Sequence, residues 1–401
     1  MEDDGEPPDR GQISNLVKTL QQDKKSMLLL PDKSLEEIAV CNPTVWGSHF
    51  IYRVREEANN NYGEKSVIKY QKLVTPYELS GNPETILISE FEYEKDGIED
   101  ARVSRNGQYD IVYVGFNENK EDGGAKIALA TTEDLGDRKK EIRKHGIIGP
   151  QVRLEEAIRF AGGPNTYYGE IFDRELRGLR KEFPGINPFV MDKDAGIGYT
   201  PSLNSILLHR IGNAIQATPF DSIKDLQDPT FWEYKFGMLE EETILYPGKR
   251  WAQEKVGLGG VPIDVIDEEG NKRKIGHVHG VEKRESEKLT EYVYKSTTAE
   301  FNPETFHIKA IVRDAILLPE PQYVFVEKDG EYNVKKYINF ATGMTLDPKE
   351  DSVICNYSGI GDFGIQLETN NLKQWLLNEL SHPHNTIENW QRAIQIREPR
   401  F

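Results

Sequence analysis

The chain has 401 residues, 37% of them hydrophobic and 10% aromatic, enough for a sizeable core in one large domain or in two to three ordinary ones. Its formal net charge of −17 argues against nucleic acid or an anionic membrane surface as a partner, so an anionic substrate would need a local basic pocket. The acidic start, Met1 to Gly11, lacks the basic and apolar regions of a signal peptide, and no apolar run approaches the ~18 residues of a membrane span.

In chain order, residues 1–40 read as a tail and a short helix over Gln12 to Lys25. Cys41 and Cys355 form neither a disulfide framework nor a metal spacing, which fits a reduced, cytoplasmic setting. Strand-like runs then recur: His49 to Arg55, Ser66 to Leu73, Thr85 to Tyr93, Ala101 to Ser104, Tyr109 to Phe116 and Lys126 to Thr132. Asn106-Gly107 between two such runs is a strong hairpin signal. Arg138 to Lys144, Leu154 to Phe160 and Glu170 to Phe183 read as helical, so a helical insertion is expected at about 145–190. Strands resume at Ser205 to Ala217. Gly260 to Ile266 and Lys274 to Val281 are expected to pair around Glu268-Glu269-Gly270-Asn271. Further pairs are Tyr323 to Glu327 with Tyr332 to Phe340, and Val353 to Ser358 with Gly364 to Glu368. Asn371 to Leu380 and Thr386 to Ile396 close the chain, over 371–401, as helices that either brace the domain or join copies into a homo-oligomer. Short strands with almost no βαβ alternation place residues 41–370 in an all-β domain: a sandwich, a barrel or a propeller.

Chemistry-bearing residues stand at strand ends. Glu99 and Asp100, with Arg102 beside them, suit acid–base work; solvated charges at a strand end are the plain alternative. Lys126, Arg143, Lys144, Lys193, His209 and Arg210 would cradle an anion if they converged. His277 and His279 share a strand face, yet no third metal ligand follows by spacing, so no metal is expected. Trp46, Tyr52, Tyr199, Trp251 and Tyr357 are available to stack on sugars, although such residues are more often core.

The motifs in order resemble glycoside hydrolase family 130, the β-mannoside phosphorylases and mannosidases. They are Asn42-Pro43-Thr44, Tyr52-Arg53, Gly97 to Val103, Ala125 to Leu135, Lys193, His209-Arg210, Lys255 to Ile263, His279-Gly280-Val281 and Tyr357 to Asp362. The likeness covers roughly residues 40 to 370, and its order and spacing make it specific. It implies a five-bladed β-propeller with the site at its axis. Asp100 matches the family's general acid, with Ala101 where the family has proline. Lys193 and His209 match its phosphate cage. Lys126 stands where phosphorylases usually carry arginine, and Arg143 or Lys144 where a second arginine is expected. Tyr199-Thr200-Pro201 departs from the usual Phe-Pro-Glu. Arg53, Glu99, Arg102, Arg210, His279 and Asp362 fall at or near sugar contacts.

The implied reaction is inverting phosphorolysis of β-mannoside oligosaccharides, with inorganic phosphate as co-substrate and no cofactor. An inverting hydrolase needs a second carboxylate as base, about 6.5–9.5 Å from the acid. Phosphate needs only cations that hold it in line. A mannosidase using water, with Glu99 or another carboxylate as base, and a non-catalytic sugar-binding propeller are the other expectations.

Overall fold

A computed structural model describes residues 27–390, apart from 36, 58–63, 120–123, 138–139, 249, 287–288, 313–323, 330–331, 348–353, 361–363 and 371–372. Strand β1 (Met27–Leu29) joins the last sheet of the chain. Strands β2 (Glu37–Trp46), β3 (His49–Glu57), β4 (Glu64–Thr75) and β5 (Glu78–Leu87) form an antiparallel four-stranded meander. The same plan repeats in β6 (Gly97–Asn106), β7 (Gln108–Phe116), β8 (Ala125–Thr132) and β9 (Arg143–Ile147). It repeats again in β10 (Asp192–Tyr199), β11 (Ser205–Ile211), β12 (Ala214–Phe220) and β13 (Thr243–Leu245).

The remaining strands share one ten-stranded sheet. They are β14 (Lys255–Leu258), β15 (Ile263–Ile266), β16 (Lys272–Ser286), β17 (Leu289–Phe301), β18 (Ile308–Ile311), β19 (Val324–Asp329), β20 (Tyr332–Leu346), β21 (Ile354–Ile360) and β22 (Gly364–Asn370). The path runs β1-β22-β21-β20-β17-β16-β14, with β15, β18 and β19 on β16, β17 and β20. Leu289 to Tyr294 of β17 runs parallel to Asn333 to Ile338 of β20, while the other paired strands are antiparallel. Strand β1 pairs with β22, so the start of the described chain and its last strand share a sheet.

The first strands of the sheets face one another. Strand β2 touches β6 and β20, β6 touches β10, and β10 touches β14, which sets the sheets around a common centre. Alternating apolar residues fill the spaces between neighbouring sheets. Val40, Phe50, Tyr52, Val67, Tyr357 and Leu367 form one such layer, and Ile68, Ile98, Val103, Ile111 and Tyr113 another. Tyr52, Trp251 and Tyr357 are therefore core residues. Asn106-Gly107 turns β6 into β7, with Gly107 at φ 80° where a side chain would be strained.

The helical insertion is present as α1 (Leu154–Phe160) and α2 (Tyr167–Glu182). Thr166 caps α2 by accepting a hydrogen bond from the Gly169 amide. Tyr168, Phe172 and Leu176 bury one face of α2 against Val112, Ile127, Leu207 and Trp232, which locks the insertion onto the second and third sheets.

Two expected elements differ. Among the described residues of Arg138 to Lys144 there is no helix: residues 143–147 form the edge strand β9, paired to β8 from Ala128↔Ile147 to Thr131↔Arg143. Ladder bonds and the Lys144–Glu94 ion pair at 2.8 Å override the helical look of that charged run. The strand expected over Thr85 to Tyr93 ends at Leu87, and Glu92–Glu94 forms a short 3-10 turn. Of the terminal helices, α3 (Lys373–Ser381) is present; Gln12 to Lys25 and the end of Thr386 to Ile396 lie outside the described residues.

Phe172 is 0% exposed, so Phe172→Ala is expected to cost about 3–5 kcal/mol and lower the thermal midpoint. Protease cleavage within residues 150–185 should rise before global unfolding if that side chain anchors the insertion.

Candidate active site at the centre of the sheets

Three central strands carry the same irregularity. In β2, β6 and β10 one extra residue is inserted opposite the neighbouring strand, between Cys41 and Thr44, Glu99 and Arg102, and Lys193 and Gly196. The bulged residue is left-handed each time: Asn42 at φ 49°, Asp100 at φ 51° and Asp194 at φ 55°. A non-glycine residue in that region costs roughly 1–2 kcal/mol, and Asn and Asp bear it best. The shared bulge turns a polar side chain out of the strand's alternation at one level of three successive sheets.

Asn42 Nδ2 donates to Asp100 Oδ1, which bonds β2 to β6 at the centre. Behind Asn42 lies Gly359, where an added Cβ would sit 3.1 Å from the Asn42 amide nitrogen and side-chain oxygen. Asp100 is 9% exposed.

Glu99, one residue earlier, is tied to two cations. Arg53 Nη2 lies 2.6 Å from its Oε1, and Lys193 Nζ 3.6 Å from its Oε2. Burial pushes the Glu99 carboxyl up, but the charges of Arg53 and Lys193 outweigh it and hold it below its ordinary 4.5. Lys193 also sits 5.5 Å from the centre of the Phe116 ring.

Asp194 forms the next group. Arg210 Nε lies 2.5 Å from Asp194 Oδ2, and His279 Nε2 3.6 Å from the same oxygen. Burial again opposes ionisation, yet Arg210 and then His279 and Arg102 leave Asp194 far below the usual carboxylate range. Burial drives His279 down to about 3 despite Asp194, so the ring is neutral at pH 7. Its ring meets Phe340 edge-on at 4.3 Å. Gly257 makes the close approach possible: a Cβ there would lie 2.2 Å from His279 Cε1 and 2.4 Å from Asp194 Oδ2.

Arg102 is 0% exposed. Its Nη1 donates to the Ala101 carbonyl at 3.1 Å, and its guanidinium lies 5.6 Å from the Phe340 ring centre. Nε and Nη2 find no acceptor among the described residues. Burial lowers its pKa, and Asp100 and Asp194 supply the opposing negative charge.

The structure thus brings together Arg53, Glu99, Asp100, Arg102, Lys193, Arg210 and His279 of the expected residues. Lys126 lies farther out, on the third strand of the second sheet, with its ammonium 4.0 Å from the Phe189 ring centre. Arg153 stands 4.4 Å from the same ring. Arg143 is exposed at the foot of β9, opposite Thr131, and so lies five residues along β8 from Lys126, roughly 16 Å. Lys144 is taken up by Glu94. His209 faces the other side of β11 from Arg210, whose neighbour across β10 is Lys193. Its Nδ1 donates to Asp192 at 2.8 Å, its Nε2 lies 3.0 Å from Thr218 Oγ1, and Trp232 covers the ring. Asp362 lies outside the described residues. Asn42, Asp194 and Phe340 complete the site without having been expected in it. The signal for Asn42 and Asp194 was an Asn or Asp followed by Pro or Ala inside a central strand.

Trp46 and Tyr199 lie elsewhere. With Arg105, Asp264 and Met344 they line a cavity of about 400 Å³ at the opposite ends of the central strands.

The ion pairs have a pH signature. Glu99 and Asp194 have folded pKa values below their unfolded ones, so their contribution is complete above about pH 4.5 and is lost as pH falls further. The thermal midpoint should therefore drop on acidification below that point. Arg210→Met removes the main charge holding Asp194 and is expected to cost about 3–5 kcal/mol at pH 7; an unchanged midpoint would show that the pair contributes nothing.

No family model matches this sequence, and no curated protein sequence matches it. Solved structures do match in fold. β-1,2-Mannobiose phosphorylase from Listeria innocua, in complex with β-1,2-mannobiose, superposes with a TM-score of 0.54 at 17% identity, over 88% of this chain and 97% of that one. A glycosyl hydrolase from Bacteroides ovatus gives 0.53 at 14% identity, over 88% and 93%. A putative glycosidase from Bacteroides thetaiotaomicron gives 0.52 at 15% identity, over 86% and 95%. This chain has the fold of a mannobiose phosphorylase and of glycosidases, in keeping with the family that its motif order resembles.

Proposed function

We propose that this protein is an inverting phosphorylase of β-mannosides, with Asp100 as its general acid. The observation that carries this reading is the state of the other carboxylates around Asp100. Glu99 is held by Arg53 and Lys193, and Asp194 by Arg210. A carboxylate so stabilised is a weak base. Hydrolysis with inversion requires such a base, whereas phosphate arrives as an anion and requires cations. A mannobiose phosphorylase and glycosidases both stand among the matched folds, which supports a glycoside-cleaving site and leaves the choice between phosphate and water to the carboxylates.

In the proposed reaction, Asp100 gives its proton to the glycosidic oxygen as the bond to the anomeric carbon breaks. Asn42 fixes the carboxyl while this happens. A phosphate oxygen attacks the anomeric carbon from the opposite face, giving α-mannose 1-phosphate and an acceptor with a free hydroxyl. The proton carried in by hydrogen phosphate restores Asp100, so the reaction balances without a cofactor. Lys193 and Lys126 hold phosphate, and Arg153, which shares the Phe189 ring with Lys126, takes the part expected of Arg143. The buried N–H groups of Arg102 face sugar or phosphate oxygens. The ten-stranded sheet counts as two blades joined along β17 and β20, which makes five with β1 closing the last.

The test is cleavage of β-1,2- and β-1,4-mannobiose with and without phosphate. Cleavage is expected only with phosphate, and Asp100→Asn should lower its rate by about 10²–10⁴-fold. Equal cleavage without phosphate would establish a mannosidase. Sugar binding without any cleavage would establish a binding module.

A further inference from the structure

Strands β16 and β17 run on past the rim of the site. The pairing of β16 with β14 ends at Lys255↔Val281, yet β16 and β17 stay paired to each other as far as Ser286↔Leu289. In this raised part β17 also pairs with β20, which makes it the middle strand of a wall. The register puts His279, Val281 and Lys283 of β16 on one face with Ser296, Tyr294 and Tyr292 of β17. His279 is the residue 3.6 Å from Asp194, so this face is continuous with the site. Tyr294 stands near the Arg210 guanidinium. Glu175 of α2 also stands near Arg210, whose charge acts on its carboxyl.

Both tyrosines are half-buried, and each has a lysine against its ring. Lys255 Nζ lies 5.4 Å from the Tyr294 ring centre and Lys283 Nζ 5.9 Å from that of Tyr292. Lys283 is also paired with Glu285. Rings two residues apart on a strand stand roughly 6.6 Å apart, a spacing suited to successive rings of an oligosaccharide. Aromatic faces bind the apolar sides of sugars, and ammonium groups beside them donate to hydroxyls.

We propose that this raised face is a platform for the leaving-group side of the substrate, Tyr294 and then Tyr292 contacting sugars beyond the first acceptor ring. Manno-oligosaccharides longer than the disaccharide are accordingly the preferred substrates. The inference rests on the reading of the site as a β-mannoside phosphorylase.

The experiment compares kcat/KM for β-1,2- and β-1,4-linked manno-oligosaccharides of two, three and four units, with phosphate, in the natural protein, Tyr292→Ala and Tyr292→Phe. The natural protein should gain roughly 2- to 10-fold for an added ring, the size of one aromatic contact. Tyr292→Ala should bring the tetrasaccharide down towards the shorter substrates, and Tyr292→Phe should restore most of the gain. A flat length series overturns the platform while leaving the phosphorylase intact, and so does a gain that survives Tyr292→Ala. No cleavage of any member overturns both.

Discussion

The centre of this protein depends on one backbone device used three times. An extra, left-handed residue in each of β2, β6 and β10 swings Asn42, Asp100 and Asp194 out of the strand's alternation. Without the bulge, side chains would alternate strictly, and neighbours such as Glu99 and Asp100 would face opposite sides of the sheet. With it, the pair is available on one side, Glu99 bound to Arg53 and Lys193 and Asp100 bound to Asn42. Each bulge carries a conformational cost that the rigid surrounding sheets must absorb. Such strain persists only where the surroundings over-determine it, which is the usual condition of a functional centre.

Electrostatics then divides the three carboxylates. Glu99 and Asp194 each face guanidinium or ammonium groups at close range and stay ionised despite burial. Asp100 has a neutral amide as its bonded partner instead. Two carboxylates bonded to cations and one bonded to a neutral amide make an asymmetric set. Arg102 adds a buried cation whose N–H groups are only partly taken up. An overall charge of −17 thus coexists with a cationic centre.

The strands and their hairpins were largely legible in the sequence, because alternation and turn residues such as Asn106-Gly107 are local signals. So was the group formed by Arg53, Glu99, Asp100 and Lys193, through the order of motifs. What was not legible depends on pairing across the sheet. His209 and Arg210 are neighbours, and a strand sends them to opposite faces; only the register Lys193↔Arg210 decides which one reaches the site. Arg143 sits in a charged run with helical spacing, and its place on the outer strand follows from pairing with Thr131. Asp194 was hidden because alternation alone would have put it on the far side from Lys193, and the bulge that brings it round has no strong sequence signature. The raised wall of β16 and β17 likewise follows from a parallel pairing between segments some 44 positions apart, Leu289 with Asn333.

The most direct test is synthesis in reverse. The protein would be mixed with α-mannose 1-phosphate and an acceptor (glucose, mannose, N-acetylglucosamine or mannobiose), and phosphate release followed. Release that depends on the acceptor and yields a β-mannoside is the predicted result. Release of free mannose without an acceptor, or no release with any acceptor while water alone cleaves β-mannobiose, would contradict it.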